Sequence, residues 1–247
     1  ADSAGTIIME GLPINALYGW KTNGFFQNYD EIQNAALPTG IDRSQLRPGD
    51  VRYVDLNSDG KIDENDRTYL GYAFPRYTYG FTYNVKWKGI DFSIMLQGVL
   101  KRENPVRGEL VQPFHADYSM TMFDHQLDYW SPQNRDARWP RLGVSGSVSD
   151  TNNWGHTGSD MMLLEGAYMR IKNIQLGYTL PKKWTKKFGC EALRIYFDTQ
   201  NPLTWTKNGF VDPETTSFGN NMSGGADNSV RNYPTLRYFG GGIDLTF

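Results

Sequence analysis

Residues 78–87 alternate without a break. Tyr79, Phe81, Tyr83, Val85 and Trp87 fall on one face; Thr78, Gly80, Thr82, Asn84 and Lys86 fall on the other. A helix repeats about every 3.6 residues, so this period of two specifies a strand with one apolar side. Lys88-Gly89 supplies a tight turn. Beyond it, Ile90, Phe92, Ile94 and Leu96 alternate with Asp91, Ser93, Met95 and Gln97, which predicts a long antiparallel hairpin. The pattern returns at 166–180, where Ile174, Leu176, Tyr178 and Leu180 share a face. The first half of that segment is out of phase, which predicts a bulge or a stretch beyond the apolar zone. Leu193, Ile195 and Phe197 then alternate with Arg194, Tyr196 and Asp198. A last strand is expected from about Tyr233 to Phe247, with Phe239, Ile243, Leu245 and Phe247 on one side, and a weaker first strand over about Asn15–Phe26. An aromatic content of 14% with 26 glycines fits the same all-β, antiparallel class.

The connections alternate in length. The links at 88–89 and 181–190 are short, whereas 27–77, 101–165 and 205–232 are long. Short turns on one side and long loops on the other characterise outer-membrane barrels, with the long loops outside; structureless connections of that length are unexpected in a compact soluble domain. No apolar run approaches the roughly 18 residues of a spanning helix, a test that barrel strands evade by alternation. The apolar faces suit lipid. The opposite faces carry Asn84, Lys86, Asp91, Gln97, Arg194, Asp198 and Asp244, which suit a wet lumen. Trp87 and Trp184 fall at the expected periplasmic ends and Trp205 at an outer end, where interfacial aromatic girdles belong. About six strands with an apolar outer face need further strands to close. The expectation is therefore a transmembrane β-barrel segment of a longer, multi-pass protein.

Residues 55–66 read Asp-Leu-Asn-Ser-Asp-Gly-Lys-Ile-Asp-Glu-Asn-Asp. Asp55, Asn57, Asp59, Asp63 and Asp66 occupy the oxygen-ligand positions of a calcium loop. Gly60 stands where the loop turns sharply, and Lys61 would offer its backbone carbonyl. Ca²⁺ takes about 6–8 oxygens in flexible geometry, which this spacing can wrap round one ion. Asp66 replaces the usual glutamate at the final position. The preceding Val51-Arg52-Tyr53-Val54 is strand-like, so a single structural clamp is expected; the alternative is an Asx-rich, metal-free turn.

His115, His125 and His156 all lie in 101–165 at irregular spacing and are expected as exposed loop residues. Trp130, Trp139 and Trp154 share that connection. Their rings are candidates for stacking on a sugar substrate; the alternative is that Trp130 and Trp139 fold the loop or face a partner. Cys190 stands alone, so no disulfide is possible within the chain. A net charge of −2 gives no footprint for nucleic acid. No Gly-x-Ser-x-Gly elbow, phosphate loop or His-Glu-x-x-His motif is present, and an enzyme is not expected.

Several stretches in order resemble the SusC/RagA family of TonB-linked outer-membrane proteins. They are Tyr18-Gly19-Trp20-Lys21-Thr22-Asn23-Gly24-Phe25-Phe26-Gln27, Pro48-Gly49-Asp50-Val51-Arg52-Tyr53, Tyr129-Trp130-Ser131-Pro132-Gln133-Asn134 and Trp139-Pro140-Arg141-Leu142. After these come Tyr168–Pro181, Gln200-Asn201-Pro202-Leu203-Thr204, Asp212-Pro213-Glu214 and Tyr233-Pro234-Thr235-Leu236-Arg237. The resemblance covers nearly the whole chain. It implies the C-terminal part of a barrel of about 22 strands closed by an N-terminal plug. It also implies a SusD-type surface lipoprotein as a lid, coupling to the TonB complex through N-terminal parts, and import of oligosaccharides or peptides across the bacterial outer membrane. The competing expectation is a secreted, calcium-dependent β-sandwich module that binds carbohydrate or protein.

Overall fold

In a computed structural model, residues 6–106, 108–114, 121–156, 158–214 and 233–247 are described. They divide into two units, one holding 6–74 and 103–164, the other 75–102, 165–214 and 234–247.

The alternating segments build the second unit. Strands Thr78–Trp87 and Ile90–Val99 pair in unbroken antiparallel register, from Thr78 opposite Val99 to Trp87 opposite Ile90. Lys88 and Gly89 close the hairpin with positive φ at both positions, the twist that a two-residue hairpin turn demands. Strand Tyr168–Thr179 pairs with Ile90–Val99 on one side and Ala192–Gln200 on the other. Tyr238–Thr246 pairs with Ala192–Gln200 and forms the far edge. Short strand Thr204–Thr206 pairs with Tyr168–Arg170. The register with Ile90–Val99 shifts between Ile171 and Asn173, so Lys172 is the extra residue of a bulge. That bulge is the source of the phase break in 166–180.

The pairing aligns the apolar residues across strands. Tyr83 opposes Ile94, Ile94 opposes Ile174, Leu176 opposes Phe197 and Ile195 opposes Ile243. Phe81, Tyr83, Val85, Leu176, Ile195, Phe197, Ile243 and Leu245 are nevertheless exposed. The last strand begins at Tyr238 and not near Tyr233. Thr235 donates its N–H to Asp212, and the Leu236 carbonyl accepts from the Asn201 amide, so this stretch is held outside the ladder.

The expected first strand at Asn15–Phe26 does not join this sheet. It splits at Lys21. Ala16–Trp20 lies between Thr6–Ile7 and Arg67–Tyr72, and Thr22–Phe25 pairs with Val51–Tyr53. The physical reason is two-sided burial. Ala16 and Leu17 are both buried, and a Cβ on Gly19 would lie 1.6 Å from the Gly158 carbonyl oxygen. Among the described residues, the large sheet thus has five long strands and one short one.

Much of 27–77 and 101–165, expected as open loops, folds in the first unit around its own core. Val51, Tyr53, Ile62 and Met161 form one buried cluster, with Trp20, Phe25 and Trp154 packed against it. Phe26, Ile32 and Leu46 form another. Helix Tyr29–Asn34 starts on Asn28, whose side chain accepts from the Glu31 N–H at 2.9 Å, and buries Ile32. Helix Val148–Trp154 starts on Ser147 in the same way. The regular structure among the described residues is mostly strand with few, short helices, and the sheets are antiparallel apart from the two-residue pair Leu37–Pro38 with Lys61–Ile62.

Candidate functional site

On the sheet's polar face, Arg194 bridges two carboxylates. Its guanidinium lies 2.6 Å from Asp91 Oδ2 and 3.0 Å from Asp244 Oδ2. Asp244 is on the adjacent strand, but Asp91 is two strands away, beyond Tyr168–Thr179. The side chain crosses at Gly177, where a Cβ would meet Asp91 Oδ1 at 2.6 Å and Arg194 Nε at 2.7 Å. Asn84, Lys86, Ser93, Gln175 and Thr179 line a concave site of about 580 Å³ around this pair, together with apolar Val85, Trp87, Ile90 and Phe92.

A second knot lies where Tyr168–Thr179 meets the segment after Thr206. Buried Arg170 donates through Nε to Thr204 Oγ1 at 2.8 Å, pairs with Asp212 Oδ1 at 2.6 Å and also with Glu214. Lys172 reaches Glu214 at 2.8 Å. Burial pushes the Asp212 carboxyl up, but hydrogen bonds from Glu214, Thr235 and Arg170 outweigh it and hold it below its ordinary value. Sequence reasoning treated Arg170, Lys172 and Asp212-Pro213-Glu214 as separate motifs. Their opposite charges were the only signal that they meet.

The Asp55–Asp66 loop turns on its own side chains. Asp55 accepts from the N–H groups of Ser58 at 2.6 Å and Gly60 at 2.8 Å; Asn57 accepts from Asp59, and Asp59 from Lys61. Asp63 accepts from Asn65. Asp66 is fully buried, and its two oxygens accept from Leu56 and Asp63, both at 2.8 Å, pinning the end of the loop to its beginning. The oxygen donors suit a hard cation in type and order. Among the described residues, however, no group of three or more His, Cys, Asp or Glu side chains is placed to hold a metal ion.

Trp130 and Trp139 are core residues, 7% and 1% exposed, and offer no free ring face to a sugar. Trp130 lies over Gly49, where a Cβ would sit 2.4 Å from the indole; the positive φ of Gly49 also suits glycine. Trp139 donates its indole N–H to the His125 carbonyl at 3.0 Å and packs on Trp154, which is half-buried. The two histidines that are described are half-buried too, unlike the exposed residues expected. His125 contacts the Leu110 carbonyl at 2.7 Å and stacks on Phe123. His156 sits edge-on to Trp20 and Tyr53, and burial lowers its pKa. His115 lies outside the described residues. The first unit also carries a groove of about 480 Å³ lined by Thr22, Phe25, Asp128, Asp136, Arg138 and Asp160.

Sequence reasoning missed Asp50. It is fully buried and accepts from Ser149 Oγ at 2.7 Å, the Asn153 amide at 3.1 Å and the Arg47 N–H at 2.8 Å. Asn153 accepts from the Val51 N–H, and Tyr53 donates to the Asn152 carbonyl. The Pro48–Tyr53 motif is thus the seat of helix Val148–Trp154.

No family model matches the chain. It is 27% identical over 247 residues to TonB-dependent receptor P3 of Formosa agariphila, covering 98% of this chain and 23% of that protein. It is also 27% identical over 233 residues to TonB-dependent receptor SusC of Bacteroides thetaiotaomicron, covering 93% of this chain and 20% of SusC. The chain therefore spans about a quarter of the length of the curated relatives it matches. Among solved structures, a RagAB peptide transporter chain shares the fold with a TM-score of 0.64 at 21% identity, covering 99% of this chain and 24% of that one. Nearly the whole chain enters these matches, similar in sequence to TonB-dependent receptors including SusC and in fold to a RagAB transporter chain.

Proposed function

We propose that this segment forms wall and outer loops of an outer-membrane, TonB-dependent importer. It works with a plug and further barrel strands of the same protein, a SusD-like surface lipoprotein and the TonB complex. The carrying observation is the two-faced sheet. One face exposes Phe81, Tyr83, Val85, Ile195, Phe197 and Ile243, while the other is polar and carries the Arg194 ion pairs. Both edge strands, Thr78–Trp87 and Tyr238–Thr246, are long. A water-soluble sandwich would cover the apolar face; a barrel wall presents it to lipid and finds strand partners at both edges. The cargo is an oligosaccharide or a peptide. SusC is named among the relatives, and the RagAB structures are named for a peptide importer.

The test is membrane partition of the full-length protein carrying this segment. It should sediment with outer membranes, need detergent for release and migrate differently on gels before and after boiling. Monodisperse release into detergent-free buffer would sink the reading and favour the secreted module.

The same reading gives the Asp55–Asp66 loop a structural Ca²⁺ clamp held by Asp55, Asn57, Asp59, Lys61, Asp63 and Asp66. Its support is the order of oxygen donors round Gly60. Chelation should speed protease cleavage within 50–75, and Asp59→Ala should abolish the calcium protection. Identical cleavage with and without chelator would remove the clamp.

A further inference from the structure

One end of the large sheet gathers positive charge and indole rings. The hairpin turn at Lys88-Gly89 and the link after Thr179 are neighbours there, joined by the Thr179 N–H to the Gly89 carbonyl at 2.7 Å. The link is short helix Lys182–Thr185 followed by a tighter turn, Lys186–Phe188, anchored by buried Thr185. It carries Lys182, Lys183, Lys186 and Lys187, all exposed, round Trp184, which is 56% exposed. Across the same edge Trp87 is 63% exposed, with the Lys88 ammonium 4.9 Å from its ring centre. The nearby acids offset only part of these charges. Asp91 and Asp244 share the single Arg194, leaving one negative charge, and Glu191 adds another 4.0 Å from Lys182, so the lysines remain in excess.

The apolar sheet face runs up to this edge through Ile90, Tyr178 and Leu245. An apolar wall that ends in exposed indoles and then lysines has the order of a bilayer: acyl chains, interface, phosphates. Solvated lysines alone would not explain why two tryptophans sit exposed among them.

We propose that this edge is a binding site for the headgroups of anionic phospholipids, with Trp87 and Trp184 at the interface and the lysine cluster on the phosphates. The site rests on the membrane-wall reading above. A lysine near an anionic surface contributes enough to change binding about fivefold, so the cluster should give a preference of tenfold or more.

The experiment uses the full-length protein reconstituted in nanodiscs of equal phosphatidylcholine and phosphatidylglycerol. Lipids retained on gentle delipidation are counted by native mass spectrometry. The unmodified protein should retain phosphatidylglycerol over phosphatidylcholine by about tenfold. The variant K182Q/K183Q/K186Q/K187Q should fall to near parity, the matching lysine-to-arginine variant should keep the preference, and K21Q should leave it unchanged. Equal retention of both lipids by the unmodified protein, or an undiminished preference in the glutamine variant, would overturn the site while leaving the membrane wall standing. Failure of the unmodified protein to enter nanodiscs at all would instead overturn the wall, and this site with it.

Discussion

At the residue scale, two positions show how local chemistry is set by neighbours distant in sequence. Gly177 is a saddle for the Arg194–Asp91 pair. Gly177→Val should cost about 1–3 kcal/mol through overpacking and loss of the pair. Gly80→Ala, whose Cβ would meet nothing closer than 3.8 Å, should be near neutral. Thermal shift of the full-length protein in detergent, followed by gel migration, checks both. His156 gives a pH dependence. Burial lowers its pKa, opposed by the Glu64 charge, and its Nε2 has no hydrogen-bond partner among the described residues. The unfolded chain therefore takes up the proton first. The stabilising contribution is present above the unfolded value of about 6.5 and is lost as pH falls toward the lower folded value. Unfolding by urea should need less denaturant at about pH 5.5 than at about pH 7.5. His156→Phe should flatten that difference; a slope unchanged in the variant would assign it to other groups.

At the element scale, helix Val148–Trp154 is too short to stand on propensity. Its order comes from Asp50, Val51 and Tyr53. Asp50→Ala would strand the Ser149 and Asn153 donors and should cost about 3–5 kcal/mol. Hydrogen exchange should report lost protection across 148–154, while the strands of the large sheet keep theirs. Sequence periodicity found those strands because one side of each meets a uniform environment, so that hydropathy records the fold directly. It did not find the helix, because the buried faces of Ser149, Asn152 and Asn153 are polar and are tied to Asp50 and Val51, about a hundred residues away. The Arg170 knot escaped for the same reason: Asp212 and Glu214 are charged residues in a connection, and nothing local says that Arg170 and Lys172 will be beside them.

For the whole molecule, the exposed apolar face decides which solvent the chain is built for. Ile195→Lys places a charge in the middle of that face. In a barrel wall it should cost about 2–4 kcal/mol near the bilayer midplane, read as lower folding stability in lipid vesicles. A substitution on the polar face, such as Ser93→Lys, should cost much less. Equal costs on both faces would argue against a lipid-facing wall.

The sequence by itself determined the five long strands of the large sheet, its hairpin and the site of the phase break, and its ordered motifs carried the resemblance to TonB-linked outer-membrane proteins. Period-two hydropathy and turn chemistry are local properties, legible within a dozen residues. Only the tertiary structure decided that Asn15–Phe26 leaves the large sheet, that long connections fold round a core of their own, and that Trp130 and Trp139 lie inside that core. It alone set Arg194 across Gly177 onto Asp91. These outcomes turn on burial and charge pairing between residues far apart in the chain, and an aromatic or charged side chain reads the same in sequence whether its partner is solvent, substrate or another part of the protein.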